Sequence, residues 1–378
     1  MSYTIHLIAA ARPNFMKIAP LYHALAKAEW ATPVIVHTGQ HYDINMSDAF
    51  FKDLQLPDPH IHLGAGTGTH AQQTGNVMIA YEKTLDDTHP DMVVVVGDVN
   101  STIACTLATV KNLYPDSVAQ ERGRTRPILG HLEAGLRSFD RSMPEEVNRL
   151  ATDVLADVLW TPSPDGDEHL RNEGIPDHKI IRVGNIMIDS FEMMRSHIEA
   201  SAAYEAFNLT KGGYAVATLH RPANVDDPKS LKTLCDSLIN ISKKLPIAFP
   251  IHPRTRKSLE ASSLMTSIEQ EENIKLLEPL NYIRFMSMVL NSAVVITDSG
   301  GIQEESTYLS IPCLTLRPNT ERPITITQGT NELCTIETVA ARVDAILNGE
   351  YKQGSIPDLW DGQTAGRTAE SIKTLLDA

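Results

Sequence analysis

Short apolar runs alternate with longer helical patterns along the whole chain, and this alternation constrains the fold more than any other feature. The run Val93–Val96 is four consecutive valines, without the polar alternation of a half-exposed strand. Such a strand is typical of a parallel sheet that is buried on both faces. Ten runs are predicted as strands: Thr4–Ala9, Val34–Thr38, Met92–Gly97, Pro127–His131, Ile180–Val183, Tyr214–Leu219, Ile247–Ile251, Ile274–Leu277, Val294–Thr297 and Cys313–Leu316.

Strands that alternate with helices predict βαβ units with right-handed crossovers, and therefore an α/β fold. The chain has 378 residues, which is too many for one ordinary core. We therefore expect two doubly wound domains with a boundary near Val183–Asn185, so that residues 1–184 form the first and residues 185–362 the second. The last helical pattern, Thr368–Leu376, could pack on either domain.

Composition excludes several classes of partner. The 33 Lys and Arg residues face 47 Asp and Glu residues, which gives a net charge of −14. This balance argues against nucleic acid or an anionic membrane as the main partner. No apolar run approaches the ~18 residues of a membrane span, and the N-terminus lacks the basic start of a signal peptide. We expect a cytoplasmic protein.

The four cysteines indicate a reduced protein. They are far apart, with no CxxC pair and no metal-ligand cluster, so structural thiols are expected and a metal site is not. The glycine-rich segment Gly64–Gly68 does not fit G-x-G-x-x-G, and no nicotinamide cofactor is inferred from it. The cysteine and glycine patterns therefore indicate neither a metal site nor a nicotinamide cofactor.

Charged groups of both signs crowd His131–Arg149, just after a predicted strand. Buried charges are costly unless they pair or take part in chemistry. Glu133 lies between the strand and a glycine turn, where a buried carboxylate needs a partner such as Arg137. Ligands of open α/β sheets bind at the carboxyl ends of strands. This segment therefore predicts an active site lined with carboxylates, in which Asp140 and Glu146 are surface or pairing groups.

Two other carboxylates each allow two interpretations. Asp98 follows the valine strand and precedes a helix, so it either caps that helix or stands as a reactive group at the crevice. The sequence from Ser142 to Glu145 fits the S-x-x-E capping box, with Pro144 in the first helical turn. Glu145 is therefore either a capping residue or a participant in the chemistry.

A phosphate-binding turn is predicted after the strand Val294–Thr297. The sequence continues with Asp298, Ser299 and two glycines, and then a helix begins. Glycines let the backbone approach a ligand, and the free N–H groups of a helix N-terminus favour an anion. The alternative is a simple turn in which Ser299 caps the helix. Glu305, one turn into that helix, could accept hydrogen bonds from ribose hydroxyls.

Basic side chains recur at strand ends in both halves, although any one alone is more typical of a surface charge. Their recurrence predicts a cleft between two domains with phosphate-binding groups on both walls. These residues are Arg12, Lys17, His220, Arg221, His252, Arg254, Arg256, Arg317 and Arg322.

Together these segments resemble the non-hydrolysing UDP-N-acetylglucosamine 2-epimerases over nearly the whole chain. The motifs SGGIQEE and HLEAGLR are the most specific, and the order of so many motifs argues against accidental similarity. The matching segments are Ala11–Leu21, Thr38–Asp43, Gly97–Thr102, His131–Arg137, Met143–Arg149, Leu219–Asp227, Ile251–Arg256, Thr297–Glu305 and Thr320–Pro323.

The resemblance implies a glycosyltransferase-B-like fold, in which two Rossmann-like domains face a cleft and a C-terminal helix, here residues 363–378, returns to the first domain. It also implies a homodimer that needs neither metal nor cofactor. The reaction would interconvert UDP-N-acetylglucosamine and UDP-N-acetylmannosamine. UDP would be eliminated to give a 2-acetamidoglucal and then added back with C2 inverted.

The resemblance also assigns roles by position. Asp98, Glu133 and Glu145 match the catalytic carboxylates of the family, and His220 matches its active-site histidine, which acts on the leaving diphosphate. The substrate- and UDP-binding residues that it implies are Arg12, Lys17, Arg149, His252, Ser299, Gly300, Gly301, Glu305 and Arg322.

The chain departs from the family pattern at two positions. Many members carry an arginine where this chain has Tyr42, and a second arginine where it has Pro222. Both positions lie near the regulatory substrate site of allosteric members, so the resemblance does not imply activation by substrate. Three alternatives stay open at this point: a 2-epimerase of a modified sugar such as a UDP-diacetamido-uronic acid, a hydrolysing epimerase that releases N-acetylmannosamine and UDP, and a glycosyltransferase.

Overall fold

The computed structural model describes residues 2–39 and 53–378, apart from the side chain of Arg12. The chain divides into two compact units. Unit 1 comprises Met1–Met193 and Asp358–Ala378, and unit 2 comprises Met194–Pro357. The boundary falls within one helix, so no extended linker separates the two units along the chain.

Within the described residues, unit 1 contains a parallel sheet of seven strands in the order β3-β2-β1-β4-β5-β6-β7. The order reverses between β1 and β4, so residues that follow these two strands lie at a topological switch point, where α/β sheets bind ligands. Its strands are β1 (Tyr3–Ala9), β2 (Ala31–His37), β3 (Ile61–His62), β4 (Met92–Val96), β5 (Ile128–Leu132), β6 (Val158–Thr161) and β7 (Ile180–Arg182). The helices up to the boundary are α1 (Arg12–Ala26), α2 (His70–Thr88), α3 (Asn100–Lys111), α4 (Asp116–Arg122), α5 (Pro144–Leu155), α6 (Pro164–Asn172) and α7 (Ile186–Ser201).

Unit 2 repeats this architecture with a parallel sheet of six strands in the order β10-β9-β8-β11-β12-β13. The order reverses between β8 and β11, which gives unit 2 a switch point of its own. Its strands are β8 (Ala215–Thr218), β9 (Ile247–Pro250), β10 (Ile274–Leu277), β11 (Val294–Thr297), β12 (Cys313–Thr315) and β13 (Asn331–Leu333). Its helices are α8 (Pro222–Val225), α9 (Pro228–Ser242), α10 (Pro253–Ala261), α11 (Met265–Glu269), α12 (Tyr282–Leu290), α13 (Gly301–Tyr308), α14 (Ile324–Thr327) and α15 (Val339–Leu347).

The last helix, α16 (Thr364–Asp377), belongs to unit 1 and packs against α1. Asp189 of α7 accepts hydrogen bonds from the backbone N–H groups of Thr364 and Ala365, at 3.1 and 2.7 Å. These are N–H groups that a helix N-terminus leaves without an intrahelical partner. The indole of Trp160 also donates to Ser371 Oγ at 2.9 Å, so the chain returns to unit 1 after completing unit 2.

The α/β fold with two Rossmann-like sheets is confirmed, and all ten predicted strands are present within a few residues of their expected ends. The valine strand β4 is buried along its whole length, as its unbroken apolar run predicts. Three strands were missed: β3, β6 and β13. They have only two to four residues, and β13 carries Asn331 and Glu332, so none of them shows a long apolar run. Such short strands form because neighbours already in the sheet supply their hydrogen-bond partners.

Each unit encloses its own apolar core, contributed by strands and by the helices that cover them. The four cysteines are buried and unpaired by disulfides, and burial raises the pKa of Cys235 to about 11. No helix in the described part of the chain is both long enough and apolar enough to cross a membrane.

Candidate functional site

Asp98 stands just beyond β4, at the switch point of unit 1, and is bound by a guanidinium. Arg149 of α5 donates to Asp98 Oδ2 from Nε at 2.9 Å and from Nη2 at 2.7 Å. Helix α3 begins at Asn100, and its N-cap Val99 makes no side-chain bond to it. The capping interpretation of Asp98 is therefore wrong. The carboxylate faces α5 and keeps 29% of its side-chain surface exposed, so a ligand can reach it.

Glu133 lies just beyond β5 and pairs with Lys17 of α1, where the Lys17 ammonium donates to Glu133 Oε2. The expected partner Arg137 is wrong, because that guanidinium binds Asp153 and Glu173, each at 2.7 Å. The backbone of Glu133 has φ 73°, a left-handed conformation that is rare for a residue other than glycine. Such strain clusters at functional sites, where the surrounding structure fixes a side chain in place.

Gly97 lets the Glu133 carboxylate approach the backbone at the end of β4. A Cβ atom added at Gly97 would lie 3.1 Å from Lys17 Nζ and 3.3 Å from Glu133 Oε2. The Lys17–Glu133 ion pair thus rests against the residue that precedes Asp98. Because β4 and β5 are neighbours in the sheet, two predicted carboxylates meet at one edge.

Glu145 differs from these two carboxylates because it has no hydrogen-bond or ion-pair partner among the described residues. The predicted capping box is wrong: the N-cap of α5 is Met143, and no side chain caps the helix. Glu145 lies one turn before Arg149, on the same helix face, since residues four apart are neighbours on a helix. Its carboxylate therefore lies on the face of α5 that binds Asp98.

A buried network holds the loop that carries Glu133, and no local pattern in the sequence indicated it. Asp153 is fully buried and accepts from His131 Nδ1 at 2.5 Å, from Arg137 Nη2 at 2.7 Å and from the backbone N–H of Gly135 at 3.1 Å. Burial alone would raise the pKa of Asp153, but His131 and Arg137 outweigh it and lower that pKa. Residues on both sides of Glu133 are thus fixed to one ionised carboxylate.

Glu146, expected at the surface or in an ion pair, is a buried pairing residue. It accepts from the backbone N–H groups of Ser138 and Phe139 at 3.0 and 2.8 Å, and from Arg149 Nη1 at 2.6 Å. Arg149 therefore bridges Glu146 and Asp98. The cation that holds Asp98 is itself fixed by a second buried carboxylate.

The switch point of unit 2 is organised by Asp298, which directly follows β11 and is fully buried. Its carboxylate accepts from the backbone N–H groups of His220 and Arg221 at 2.9 and 2.8 Å and from Asn224 Nδ2 at 3.1 Å. It also lies 3.0 Å from His220 Nδ1. Asp298 lies in the turn predicted from the sequence, but no local pattern indicated a role for it. Its contacts with the segment after β8 arise because β8 pairs with β11.

His220 and His252 lie together after β8 and β9, with ring centroids 5.1 Å apart. His252 caps α10, since its Nδ1 accepts from the backbone N–H of Arg254 at 3.1 Å. Burial and the neighbouring His220 lower the pKa of His252. Two imidazoles thus stand at the strand ends beside the predicted phosphate turn.

The predicted phosphate turn connects β11 to α13. Gly300 is the N-cap of α13 and no side chain caps this helix, so the interpretation of Ser299 as a cap is wrong. A Cβ atom at Gly300 would lie 2.7 Å from Glu321 Oε1 and 2.8 Å from Arg322 Nη1, so a larger residue would have to displace these paired side chains. At Gly301 an added Cβ would meet no atom within 4 Å. The space beside Gly301 at the start of α13 is therefore open, as an anion site at a helix N-terminus requires.

Arg322 lies beside this turn, bound by two carboxylates. Its Nη1 lies 2.6 Å from Glu321 Oε1, and its Nε lies 2.9 Å from Glu304 Oε2. Burial alone would raise the pKa of Glu321, but the charges of Arg322 and Arg317 hold it well below its usual range. The guanidinium is thus fixed in direction, and two nearby carboxylates share its charge.

Glu305 is buried in α13, where Tyr282 donates to its Oε1 at 2.6 Å. Burial raises the pKa of Glu305 to about 7, the hydrogen bond from Tyr282 opposes this shift, and Glu304 adds to it. A carboxyl group with a pKa this close to neutrality can accept hydrogen bonds from a ligand or donate one, depending on pH.

The structure thus brings the predicted residues together as two sets, one at each switch point. Unit 1 gathers Lys17, Asp98, Glu133, Glu145 and Arg149, while unit 2 gathers His220, His252, Ser299, Gly300, Gly301, Glu305 and Arg322. The side chain of Arg12 and the position of Tyr42 lie outside the described residues. Pro222 begins the short helix α8. Among the described residues no group of His, Cys, Asp and Glu is arranged to hold a metal ion.

Known proteins with similar sequences span almost the whole chain. A UDP-N-acetylglucosamine 2-epimerase of Methanocaldococcus jannaschii is 38% identical over 353 residues, which cover 91% of this chain and 92% of the relative. A UDP-2,3-diacetamido-2,3-dideoxy-D-glucuronate 2-epimerase of Pseudomonas aeruginosa is 35% identical over 378 residues, covering 97% and 99%. The chain is therefore similar to epimerases of two different UDP-sugars.

Solved structures give the same result. The M. jannaschii epimerase in complex with UDP-N-acetylglucosamine and UDP matches with a TM-score of 0.85 and 36% identity, over 98% of this chain and 99% of that one. A lipopolysaccharide outer core galactosyltransferase matches with a TM-score of 0.55 and 14% identity and shares the fold alone. The sequence profile described as UDP-N-acetylglucosamine 2-epimerase matches residues 23–373. The chain therefore belongs to the UDP-N-acetylglucosamine 2-epimerase family and is an isomerase of the α/β class.

Proposed function

We propose that the protein inverts C2 of a UDP-2-acetamido sugar, and that it converts UDP-N-acetylglucosamine to UDP-N-acetylmannosamine without releasing the sugar. The observation that carries the proposal is the set of carboxylates at the switch point of unit 1. Asp98 is paired with Arg149, Glu133 with Lys17, and Glu145 has no partner in the described part of the chain. Carboxyl groups in different environments are what proton delivery and removal at one carbon require.

The chemistry explains why these groups are needed. The proton at C2 is weakly acidic because no carbonyl is adjacent, so its removal must be coupled to loss of a good leaving group. A carboxylate takes the C2 proton, the C1–O bond breaks, and its electron pair passes to the β-phosphate oxygen of UDP. The 2-acetamidoglucal then regains UDP at C1, while a carboxylic acid returns a proton to the opposite face of C2.

Unit 2 supplies the groups that hold UDP in this proposal. Ser299, Gly300 and Gly301 present the N-terminus of α13 to the diphosphate, and Glu305 accepts from the ribose hydroxyls. His220 acts on the leaving diphosphate, with support from His252 and Arg322. Backbone N–H groups and cations lower the cost of charge that develops on a departing oxygen. Exclusion of water from the bound sugar would keep the glucal from being hydrolysed.

Deuterium exchange tests the reaction directly. The protein is incubated with UDP-N-acetylglucosamine in deuterated water, and the C2 proton signals of both epimers are followed by NMR. We expect deuterium at C2 of both sugars and an equilibrium mixture of the two. Absence of both exchange and product for this sugar, in a protein that binds UDP, would contradict the proposal.

A second substrate is favoured by one specific observation. The similarity to the P. aeruginosa diacetamido-glucuronate 2-epimerase covers 97% of the chain, about as much as the similarity to the N-acetylglucosamine enzymes. The same elimination and re-addition would act on that sugar. Turnover of a small panel of UDP-sugars, read by NMR, decides between them, and the preferred substrate is the one with the highest kcat/KM.

Retention of the sugar separates the proposed reaction from hydrolysis. A hydrolysing relative would add water to the glucal and release N-acetylmannosamine and UDP in equal amounts. We expect UDP to stay bound in the sugar nucleotide, with free UDP well below the amount of substrate epimerised. We also propose a homodimer, which light scattering of the purified protein would establish.

A further inference from the structure

Asp298 is the most densely hydrogen-bonded carboxylate of unit 2, yet it offers little to a ligand. It is fully buried, and both oxygens accept from the segment that follows β8. The backbone oxygen of Asp298 also accepts from Arg221 Nε at 3.0 Å. An enclosed carboxylate of this kind acts through the groups that it binds, and one of these groups is His220.

The contact with His220 fixes the hydrogen on that imidazole. Burial alone would raise the pKa of Asp298, but hydrogen bonds from His220 and Arg221 outweigh it and lower that pKa. The ionised carboxylate can only accept, so His220 Nδ1, 3.0 Å away, must carry a hydrogen. Nε2 then remains for another partner, and it has none among the described residues. With 37% of the side chain exposed, this nitrogen can reach a ligand.

We propose that Asp298 is a positioning residue that acts through His220. It sets the ring direction and keeps a hydrogen on Nδ1, so that Nε2 faces the departing diphosphate and the protonated ring can donate to it from Nε2–H. This inference rests on the proposed function and extends it to a residue that touches no substrate atom. The same carboxylate ties the end of β8 to the turn after β11, so the histidine and the phosphate turn keep a fixed spacing.

The role follows from the charge that moves during the elimination. As the C1–O bond breaks, its electron pair adds negative charge to the β-phosphate oxygen of UDP. An imidazolium at His220 donates from Nε2–H to that oxygen, while Asp298 stabilises the positive ring from the Nδ1 side. A buried carboxylate that orients a histidine and stabilises its charged form has this role in hydrolases with a Ser-His-Asp triad. The ring of His252 lies beside that of His220, tilted by 37° with centroids 5.1 Å apart, and limits the directions in which the His220 ring can turn.

A double-mutant cycle between Asp298 and His220 tests the proposal. We expect Asp298→Asn to lower kcat by about 100-fold or more and His220→Gln to lower it by a similar factor. The double variant should be no more than about 3-fold slower than His220→Gln, because coupled residues are not additive. If Asp298→Asn costs the same factor with and without His220, Asp298 does not act through the histidine and the proposal fails.

The same double-mutant cycle can be measured on the affinity for UDP, which requires no turnover. Titration calorimetry should show each single variant weakening UDP several-fold and the double variant weakening it no further. Absence of turnover in the wild-type protein would remove the proposed function, whereas additive losses of UDP affinity would remove the positioning role. The two failures are therefore distinguishable.

A matched control separates positioning from mere loosening of the loop. Thr255 Oγ1 donates to the backbone oxygen of Leu219 at 2.5 Å, so it anchors the residue next to His220 without touching the ring. Thr255→Val should change kcat by less than about 3-fold. A loss comparable to that of Asp298→Asn would show that any loosening of this loop has the same effect, which would overturn the proposal.

The tautomer can be measured in the unaltered protein, even if Asp298→Asn does not fold. Nitrogen-15 labelling of histidine should give an Nδ1–H signal for His220, identified by its disappearance in His220→Gln. A neutral ring with hydrogen on Nε2 alone would contradict the proposal, because Asp298 would then have no hydrogen to accept.

Discussion

The two switch points hold charge in different ways. In unit 1, Asp98 and Glu133 are each held by the side chain of a cation, Arg149 and Lys17. In unit 2, the carboxylate of Asp298 is held largely by backbone N–H groups, and the anion site that we propose in the turn also consists of backbone. Side-chain cations sit on flexible chains, whereas backbone N–H groups are fixed by the strands and turns that carry them. The difference fits our proposal of proton transfer at unit 1 and diphosphate binding at unit 2.

The largest loss of turnover should come from replacing Glu133, the carboxylate residue with the left-handed backbone. Glu133→Gln keeps the shape of the side chain but removes its ability to accept a proton, so turnover should fall by about 100-fold or more. Deuterium exchange at C2 measures this loss, and UDP affinity should stay within about 3-fold of wild type, because the proposed diphosphate-binding residues belong to unit 2. Exchange at the wild-type rate would place the proton transfer elsewhere.

Gly300 and Gly301 form a matched pair that tests the backbone site. Gly300→Ala forces a Cβ against Glu321 and Arg322, so it should lower the free energy of unfolding by about 1–3 kcal/mol. Gly301→Ala meets no atom and should leave stability near wild type, yet weaken UDP if the diphosphate lies there. Urea unfolding and UDP titration measure the two effects. Equal destabilisation by both variants would contradict the packing argument.

The free energy of unfolding should depend on pH because of Glu305 in unit 2. A folded-state pKa of about 7 means that the folded protein binds this proton more tightly than the unfolded chain does. Its contribution is therefore most favourable below about pH 4.5 and is lost as the pH rises through 7. Glu305→Gln removes the buried charge and should gain about 1–3 kcal/mol at pH 8 but little at pH 5. Unfolding curves at the two pH values check this, and an equal gain at both would contradict it.

The smallest effect on stability should come from the carboxylate without a partner. Glu145 caps no helix and forms no ion pair within the described residues, so Glu145→Gln should change the free energy of unfolding by less than about 0.5 kcal/mol. Turnover should still fall if Glu145 moves a proton. Thermal unfolding together with deuterium exchange separates the two effects. Loss of stability with normal exchange would restore a structural role for this residue.

The sequence predicted where reactive groups stand better than it predicted what holds them. Strand ends are visible locally, so Asp98, Glu133 and the turn at Ser299 were found from apolar runs and glycines. Their partners depend on which strands become neighbours. Lys17 lies 116 residues before Glu133, and the choice of Arg137 failed because a residue nearby in sequence was assumed to be nearby in space.

The same limit explains the missed elements and the missed residue. Asp298 gained its role only because β8 and β11 pair, which no local pattern showed. The capping roles considered for Asp98 and Ser299 failed for the opposite reason, since local motifs fit but tertiary contacts took precedence. That of Glu145 failed because α5 has Met143 as its N-cap, one residue later than the motif requires. Helix caps are weak preferences, worth about 1 kcal/mol, and a buried ion pair or a close packing contact can override them.

The return of the chain to unit 1 has a consequence for synthesis. Residues from Asp358 onward complete unit 1, yet the ribosome makes them only after all of unit 2. Domains tend to fold as they emerge, so unit 2 can finish first while the N-terminal half waits. Until α16 arrives, the carboxylate of Asp189 and the indole of Trp160 lack their partners. The half of the protein that is made first is therefore the last to be completed.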